Sequence, residues 1–328
     1  MIYLTFSKII NSFSADLEEV EKEIKKNFHS DVVLIPDVSE YLSSSGGKRI
    51  RPLLLLLSSR ACGYKGAKAI KHSCVVEFIH TATLLHDDVV DDADVRRGNP
   101  SANSKWGNEA SVLVGDFLFA KSFELMSSEE DTRIMKTMSE ACTLLSEGEV
   151  LQLINLYNTD ITEEEYLKVV FRKTAALIAA SCKLGAILSD SPDYVIESLN
   201  SYGRNIGYSF QLIDDALDYM GDEIKTGKKI GNDLLDGNIT LPLLHLLSKV
   251  DEIRKERLKK IILESDELHA GDLIFVLELM KEFDSVSYTR NLARHYADSA
   301  KSSLSGIQKS EHLESLISLA DFIVDRNF

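Results

Sequence analysis

Proline is scarce in this sequence, and long regions contain none. Only five prolines occur among 328 residues, and each lies near the apparent end of a structural element. A proline inside an α-helix costs about 3 kcal/mol, so long proline-free regions are typical of helices. Sustained alternation of apolar and polar residues, which marks β-strands, is also missing. The sequence therefore predicts an all-α protein. Because no linker-like region divides it, we expect a single domain over residues 1–328.

Positive charge is the second thing that the sequence lacks. The chain has 37 Lys and Arg against 52 Asp and Glu, a formal net charge of −15. Proteins that bind the backbone of a nucleic acid need a basic surface, so we exclude nucleic acid as a partner. A phosphate-bearing ligand is still compatible with this charge, since metal ions and a few nearby cations can reverse the local sign.

Cysteine and long apolar runs are also rare. The four cysteines lie in apolar surroundings and form no C-x-x-C pair, which predicts buried free thiols in a reducing compartment. No apolar run reaches the roughly 18 residues of a membrane span. The N-terminal segment lacks the apolar stretch and cleavage site of a signal peptide. We therefore expect a cytoplasmic protein without a transmembrane segment. The cysteines are Cys62, Cys74, Cys142 and Cys182.

A short acidic motif, D-D-x-x-D, is present twice. The copies are Asp87, Asp88 and Asp91, and Asp214, Asp215 and Asp218. On a helix, steps of one and four residues are rotations of about 100° and 400°, so we expect each copy on one narrow face. Only oxygen ligands are offered, which favours Mg²⁺ or Mn²⁺ over zinc or a di-iron centre. Mg²⁺ binds one or two carboxylates plus phosphate oxygens, so two facing copies would hold a phosphate-rich ligand.

A solvated helix surface is the ordinary explanation of an acidic cluster. Two features argue against it here. Apolar residues come just before each copy (Leu84 and Leu85; Leu212 and Ile213), so we expect the preceding turns of each helix to be buried in a core. The same spacing also occurs twice.

Basic residues occur close to both acidic copies. Gly46 and Gly47 are followed by Lys48, Arg49 and Arg51, at the predicted start of an apolar helix. Helix N-termini favour anions, so these three cations predict a diphosphate clamp, with ordinary surface bases as the alternative. The glycine-rich stretch 221–237 follows the second copy and carries Lys228, and such loops often act as lids.

Helical periodicity and capping signals define further elements. Apolar residues at steps of three and four predict a first helix over residues 5–29. The first acidic copy ends a helix predicted from Cys74 to Asp91. Residues 108–127 are almost wholly apolar and predict a central helix. Thr162 and Glu165 form a capping box before the helix that carries Lys173.

Five segments together resemble the trans-isoprenyl (polyprenyl) diphosphate synthases, in family order and spacing and in the style of medium- and long-chain members. They are GGKRIRP (46–52), HTATLLHDDVVDDADVRRG (80–98), KT (173–174), FQLIDDALD (210–218) and GKKIGND (227–233). The resemblance implies an all-α bundle around a deep central cavity, usually as a homodimer. It also implies Mg²⁺-dependent, head-to-tail condensation of isopentenyl diphosphate with an allylic diphosphate to a linear polyprenyl diphosphate.

The resemblance also implies roles for individual residues. Ligands of about three Mg²⁺ ions would be Asp87, Asp91 and Asp214, supported by Asp88, Asp215 and Asp218. Contacts to isopentenyl diphosphate would be Lys48, Arg51, His80 and Arg97. Contacts to the allylic substrate would be Arg96, Lys173, Thr174, Gln211 and Lys228. The sequence departs from the family at Asn238, where related long-chain enzymes usually carry a lysine.

Product length can be argued from the helix that ends at the first acidic copy. Small residues, Ala82 and Thr83, lie one turn before Asp87, and Phe78 lies on the opposite side. No aromatic residue therefore blocks a growing chain there, which favours a medium or long product. Phe117 or Phe119 could still close the cavity from another helix.

Alternatives to a long-chain synthase remain at this point. A short-chain farnesyl or geranylgeranyl diphosphate synthase would need an aromatic floor from elsewhere. A class I terpene cyclase would leave the basic set at 46–51 idle. A subunit of a heteromeric synthase would be expected to have lost carboxylates, and an acidic interaction protein would leave the repeated motif unexplained.

Overall fold

Helices form nearly all of the regular structure in the described part of the chain. The computed structural model describes residues 6–44, 47–96, 98–220, 230–264 and 269–326. The all-α prediction is confirmed. The helices of the N-terminal part, which ends at Ser127, are α1 (Phe6–Ser12), α2 (Ser14–Asn27), α3 (Leu34–Ser44), α4 (Ile50–Ala61), α5 (Lys68–Val90), α6 (Ala102–Trp106) and α7 (Asn108–Ser127). The later ones are α8 (Thr132–Ile154), α9 (Glu163–Val170), α10 (Ala176–Leu188), α11 (Asp193–Asp218), α12 (Asn232–Leu235), α13 (Leu241–Lys249), α14 (Glu252–Leu263), α15 (Ala270–Glu282), α16 (Ser285–Ser303) and α17 (Glu311–Asp325).

Two short non-α elements interrupt this pattern. Strands β1 (Val95–Arg96) and β2 (Asn99–Pro100) pair antiparallel, a hairpin that the sequence pattern did not predict. A π-helical turn, Phe171–Ala175, joins α9 to α10. Single-turn π-bulges are rare in proteins as a whole, but those that occur are often found at functional sites.

The chain forms two compact units, and neither is a continuous segment. Unit 1 comprises residues 1–142, 180–200 and 306–318. Unit 2 comprises residues 143–179, 201–305 and 319–328. Each unit therefore contains one of the two acidic copies.

Unit 1 is built around α5, which packs against α2, α4, α6 and α7. The predicted start of this helix at Cys74 was wrong, since α5 already begins at Lys68, whereas its predicted end is correct within one residue. Leu53–Leu57 of α4 are all fully buried, as their apolar run predicts. A Cβ atom at Gly185 of α10 would lie 2.7 Å from the Leu55 carbonyl oxygen, so only glycine permits this close helix crossing.

Three sequence predictions for unit 1 need correction. The first helix is broken at Phe13 into α1 and α2. The bounds of α7 match the prediction and α7 packs against α5, but Leu113 is 66% exposed, so α7 is buried on one side only. The cysteines are free, yet only Cys74 and Cys182 are buried, while Cys62 and Cys142 are partly exposed.

Unit 2 places the π-helical turn against two glycines. A Cβ atom at Gly207 of α11 would lie 2.4 Å from Ala175 Cα, and one at Gly148 of α8 would lie 2.6 Å from the Lys173 amide nitrogen. The backbones therefore approach as closely as glycine allows, which fixes the turn that carries Lys173 and Thr174. The capping box is confirmed: Thr162 Oγ1 accepts from the Glu165 amide, and Glu165 accepts from the Thr162 amide.

No helix in the described part of the chain combines the length and the apolar composition needed to cross a membrane.

Candidate active site

The first acidic copy lies where α5 ends. Asp87 is half-buried on the last turn, Asp88 is 1% exposed, and Asp91 follows the helix and is exposed. The three carboxylates, predicted to lie on one narrow face of the helix, therefore differ in their exposure to solvent. The 100° rotation between Asp87 and Asp88 turns Asp88 into the protein.

Arg96 is the partner that makes the burial of Asp88 tolerable. Its Nε donates to Asp88 Oδ1 at 2.6 Å, and Asn103 Nδ2 donates to the Asp88 carbonyl oxygen at 3.1 Å. Burial raises the pKa of Asp88, while the Arg96 charge acts in the opposite direction. The β1–β2 hairpin, which turns at Gly98 with φ +79°, brings Arg96 back to α5. Arg97, predicted to contact isopentenyl diphosphate, lies outside the described residues.

A small pocket of unit 1 contains His80 and Arg96 together with Arg49 and Glu77. Arg49, predicted as one of three clamp cations, pairs with Glu21 at 2.6 Å and with Glu77. It also occupies the N-cap of α4 with a left-handed φ of 45°. Arg49 thus ties the loop at residues 47–49 to α2 and α5. Neighbouring Lys48 is exposed and Arg51 is half-buried.

A cavity of about 240 Å³ in unit 2 collects residues from distant motifs. Four predicted site residues line it: Lys173 and Thr174 from the π-helical turn, and Gln211 and Asp215 from α11. Lys173 Nζ lies 2.7 Å from Glu149 Oε2 of α8. The cavity thus has one ammonium group and several oxygen atoms on its wall.

Hydrogen bonds connect the oxygen-bearing residues of this wall. Thr174 Oγ1 donates to Gln211 Oε1 at 2.8 Å, and Gln211 Nε2 donates to Asp215 Oδ1 at 2.8 Å. Tyr166 donates its phenol proton to Asp215 Oδ2. Burial raises the pKa of Asp215 above its usual range, against the effect of the two hydrogen bonds. Burial also raises the pKa of Tyr166, so its phenol stays protonated as a donor.

The other carboxylates of the second copy have partners of their own. Arg326 Nη2 lies 2.6 Å from Asp214 Oδ1 and also donates to the Phe210 carbonyl oxygen at 2.7 Å. Asp218 Oδ2 accepts from the Asp233 amide at 3.1 Å. Asp214 and Asp218 are not among the described residues that line the cavity, whereas Asp215 is.

Asn238 also lies on the cavity wall, which gives the departure from the family pattern a location. Its Oδ1 accepts from Gln152 Nε2 of α8 at 3.0 Å. The side chains of Asn238 and Gln152, two neutral amides hydrogen-bonded to each other, therefore form this part of the wall. Lys228, another predicted contact to the allylic substrate, lies outside the described residues, as do residues 221–229 of the predicted lid at 221–237.

Sequence reasoning missed Tyr166, Arg326 and Gln152. Tyr166 precedes Lys173 by seven residues, two helical turns, and could have been found by that spacing. Arg326 is near the far end of the chain and had no local signal.

The carboxylates fit Mg²⁺ better than a metal held by protein ligands alone. Within the described ranges, no group of three or more His, Cys, Asp or Glu side chains is arranged to hold an ion. Mg²⁺ usually takes one or two carboxylates and completes its shell with water and phosphate oxygens. Asp87 and Asp91 at the end of α5, and the partly exposed Asp214, provide hard oxygen atoms of that kind.

Comparisons with known proteins agree with one another. The sequence profile of the polyprenyl synthetase family matches residues 32–280. Octaprenyl diphosphate synthase from Escherichia coli (strain K12) is 41% identical over 99% of this chain and 100% of its own length. A polyprenyl synthase from Caulobacter crescentus CB15, crystallised with calcium and isoprenyl diphosphate, superposes with a TM-score of 0.94, 38% identity and full coverage of both chains (100% each). A decaprenyl diphosphate synthase from Rhodobacter capsulatus superposes with a TM-score of 0.93 and 38% identity, over 98% of this chain and 99% of that one.

Proposed function

The chain belongs to the polyprenyl synthetase family, and we propose that it condenses isopentenyl diphosphate head-to-tail with an allylic diphosphate in a Mg²⁺-dependent reaction. The product is a linear all-trans polyprenyl diphosphate. The observation that carries the proposal is the cavity wall of unit 2. There, Lys173, Thr174, Gln211 and Asp215, from two separate sequence motifs, line one space.

About three Mg²⁺ ions would be held by Asp87, Asp91 and Asp214 together with substrate phosphate, and Mn²⁺ would be a substitute. Bound Mg²⁺ supplies Lewis-acid stabilisation of the departing diphosphate. The supporting roles of Asp88 and Asp215 follow from their burial, because each is nearly inaccessible and hydrogen-bonded within the protein. Asp218 supports the site by accepting the Asp233 amide.

The two diphosphates would use different cations. Isopentenyl diphosphate would contact Lys48, Arg51, His80 and Arg97, and the allylic substrate would contact Arg96, Lys173, Thr174, Gln211 and Lys228. His80, assigned to isopentenyl diphosphate, lines a pocket of unit 1, and Lys173, assigned to the allylic substrate, lines the cavity of unit 2. Arg96 lines the same pocket as His80, so this pocket would serve both substrates. Lys173 can exchange its contact with Glu149 for a phosphate oxygen.

Bond making and breaking would proceed as follows. The allylic C1–O bond breaks, and its electron pair leaves with the diphosphate. The isopentenyl double bond then forms the new C–C bond to the allylic carbon, and a proton passes to the released diphosphate. The oxygens of Thr174 and Gln211 face the positive charge that develops on the allylic carbon, and such fixed dipoles stabilise charge without reorganisation.

We propose a medium or long product and a homodimeric protein. The octaprenyl and decaprenyl synthases that the chain resembles support the product length. Phe78 stacks on Phe28 at 5.3 Å, so it is turned toward α2 and leaves the Asp87 side of α5 without that aromatic ring. Phe119 of α7 stacks against His86 with 6.0 Å between the ring centroids, so an aromatic residue of α7 lies near the end of α5.

Product sizing tests the proposal and separates it from the alternatives. The purified protein is incubated with Mg²⁺, labelled isopentenyl diphosphate and a geranyl, farnesyl or geranylgeranyl primer. We expect linear products longer than C20. Products that stop at C15 or C20 would indicate a short-chain synthase, and cyclic hydrocarbons a terpene cyclase. Activity that requires a second, different chain would indicate a heteromeric synthase.

A further inference from the structure

Tyr166 closes a chain of hydrogen bonds along the cavity wall of unit 2. The phenol donates to one oxygen of Asp215, and the Gln211 amide donates to the other at 2.8 Å. Asp215 is 2% exposed and Tyr166 is 5% exposed, so water does not replace either donor. The Asp215 carboxylate is thus fixed from both sides.

This fixed carboxylate determines how the Gln211 amide is turned. Gln211 directs its NH₂ group toward the accepting oxygen of Asp215 and its carbonyl oxygen toward Thr174. Thr174 then donates its single hydroxyl proton to that carbonyl oxygen at 2.8 Å. Because this proton is used, Thr174 can present only its oxygen lone pairs to other groups. The wall therefore offers acceptors, and no hydroxyl proton, at this point.

The alternative amide orientation would have the opposite effect. If the Gln211 amide were reversed, its NH₂ group would face Thr174 and the hydroxyl proton would be released toward the cavity. A donor facing a carbon that gains positive charge destabilises that charge. Tyr166 matters because it is the second of the two donors that hold Asp215 in place.

We propose that Tyr166 is a positioning residue that acts through Asp215 and Gln211 to keep the oxygens of Gln211 and Thr174 directed at the allylic carbon. The inference rests on the proposed function, since it assigns a role in the same condensation. Tyr166 itself does not touch the reacting atoms. Its loss should slow bond breaking and leave the binding of both diphosphates unchanged.

The Tyr166→Phe variant tests this role, with Tyr202→Phe as a control that removes another buried phenol of unit 2. We expect kcat to fall by about ten- to a hundredfold, the range for a misplaced catalytic group, with both KM values unchanged. Tyr202→Phe should keep kcat near that of the wild type. A Tyr166→Phe protein with wild-type kcat, or with only its KM values raised, would overturn the proposal.

A double-mutant cycle shows whether Tyr166 acts through Gln211. In a Gln211→Ala protein, adding Tyr166→Phe should lower kcat by less than about twofold, because the group that Tyr166 orients is already gone. Full additivity of the two losses would contradict the inference. If Tyr166→Phe folds poorly, 4-aminophenylalanine at position 166 retains an N–H donor, and kcat should stay within about threefold of the wild type. A loss as large as that predicted for phenylalanine would count against the role.

A crystal structure of the Tyr166→Phe protein gives a readout that does not depend on activity. We expect the Gln211 side chain to leave its place between Asp215 and Thr174. An unmoved Gln211 would refute the positioning role even if kcat falls. Should the wild-type protein prove inactive as a prenyltransferase, the proposed function fails, while this structure still decides whether Tyr166 orients Gln211.

Discussion

The second aspartates of the D-D-x-x-D copies, Asp88 and Asp215, are the least accessible aspartates of their motifs. Each is held by hydrogen bonds from side chains, Asp88 by Arg96 and Asp215 by Tyr166 and Gln211. Buried carboxylates are stable only with such partners. Burial therefore separates, in each motif, one carboxylate held within the protein from two more accessible carboxylates, among which we propose the metal ligands.

Substitution of Asp88 and of Asp91 should separate stability from metal binding. Asp88→Ala removes a charged hydrogen bond and should lower the free energy of unfolding by about 1.5–3 kcal/mol. Asp91→Ala changes an exposed residue at a helix C-terminus, where a negative charge is unfavourable, and should cost less than about 0.5 kcal/mol. Urea unfolding without Mg²⁺ measures both. Equal losses of stability, or a larger loss for Asp91→Ala, would contradict this division.

Part of the residue-level organisation could be predicted from sequence, and part could not. Lys173, Thr174, Gln211 and Asp215 were predicted by motif and do line one cavity. The pairing of Arg49 with Glu21 and Glu77 was not, because those partners lie 28 positions away on each side and no local pattern links them. Arg326 beside Asp214 depends on tertiary structure in the same way.

At the scale of elements, helix α5 and the π-helical turn Phe171–Ala175 also contain features that no local sequence pattern predicts. Apolar periodicity and the acidic motif predicted α5 and its end, but not its first residues, where no capping side chain marks the start. The capping box predicted the start of α9 correctly. The π-helical turn had no signal of its own, since it depends on close packing against Gly148 and Gly207 of other helices.

Along α5, the position that should limit product length is Thr83. Ala82 is fully buried in the core, whereas Thr83 is half-buried and lies four residues before Asp87, on the same side of the helix. Thr83→Phe should place a ring about one turn from Asp87 and shorten the products by several isoprene units. Chromatography of the dephosphorylated products measures their length.

The Thr83→Val variant is the matched control, because it changes the hydroxyl without adding bulk. The products of this variant should have the same lengths as those of the wild type. An unchanged product distribution for an active Thr83→Phe protein would show that the chain does not grow along this face of α5.

At the scale of the whole molecule, each compact unit carries one acidic copy with its own cations. In unit 1, Arg96 pairs with Asp88 and lines one pocket with His80. In unit 2, Lys173 and Arg326 accompany Asp214, Asp215 and Asp218. A net charge of −15 therefore does not prevent diphosphate binding, since cations are concentrated beside the acidic copies.

The fold class and the family were predictable because they rest on features repeated along the chain, namely proline-free apolar periodicity and five ordered motifs. The division into two discontinuous units was not, since it depends on which helices pack together. Subcellular location and oligomeric state stay predictions.

The central claim is that both acidic copies serve one reaction. Its most direct test is the Mg²⁺-dependent incorporation of labelled isopentenyl diphosphate by Asp87→Asn and Asp214→Asn proteins. Matched controls are Asp190→Asn in unit 1 and Asp160→Asn in unit 2, whose side chains are 91% and 80% exposed. We predict that each site variant loses at least about a hundredfold in kcat while remaining folded, and that both controls keep wild-type activity. A folded site variant that retains activity within about threefold of the wild type would contradict the claim.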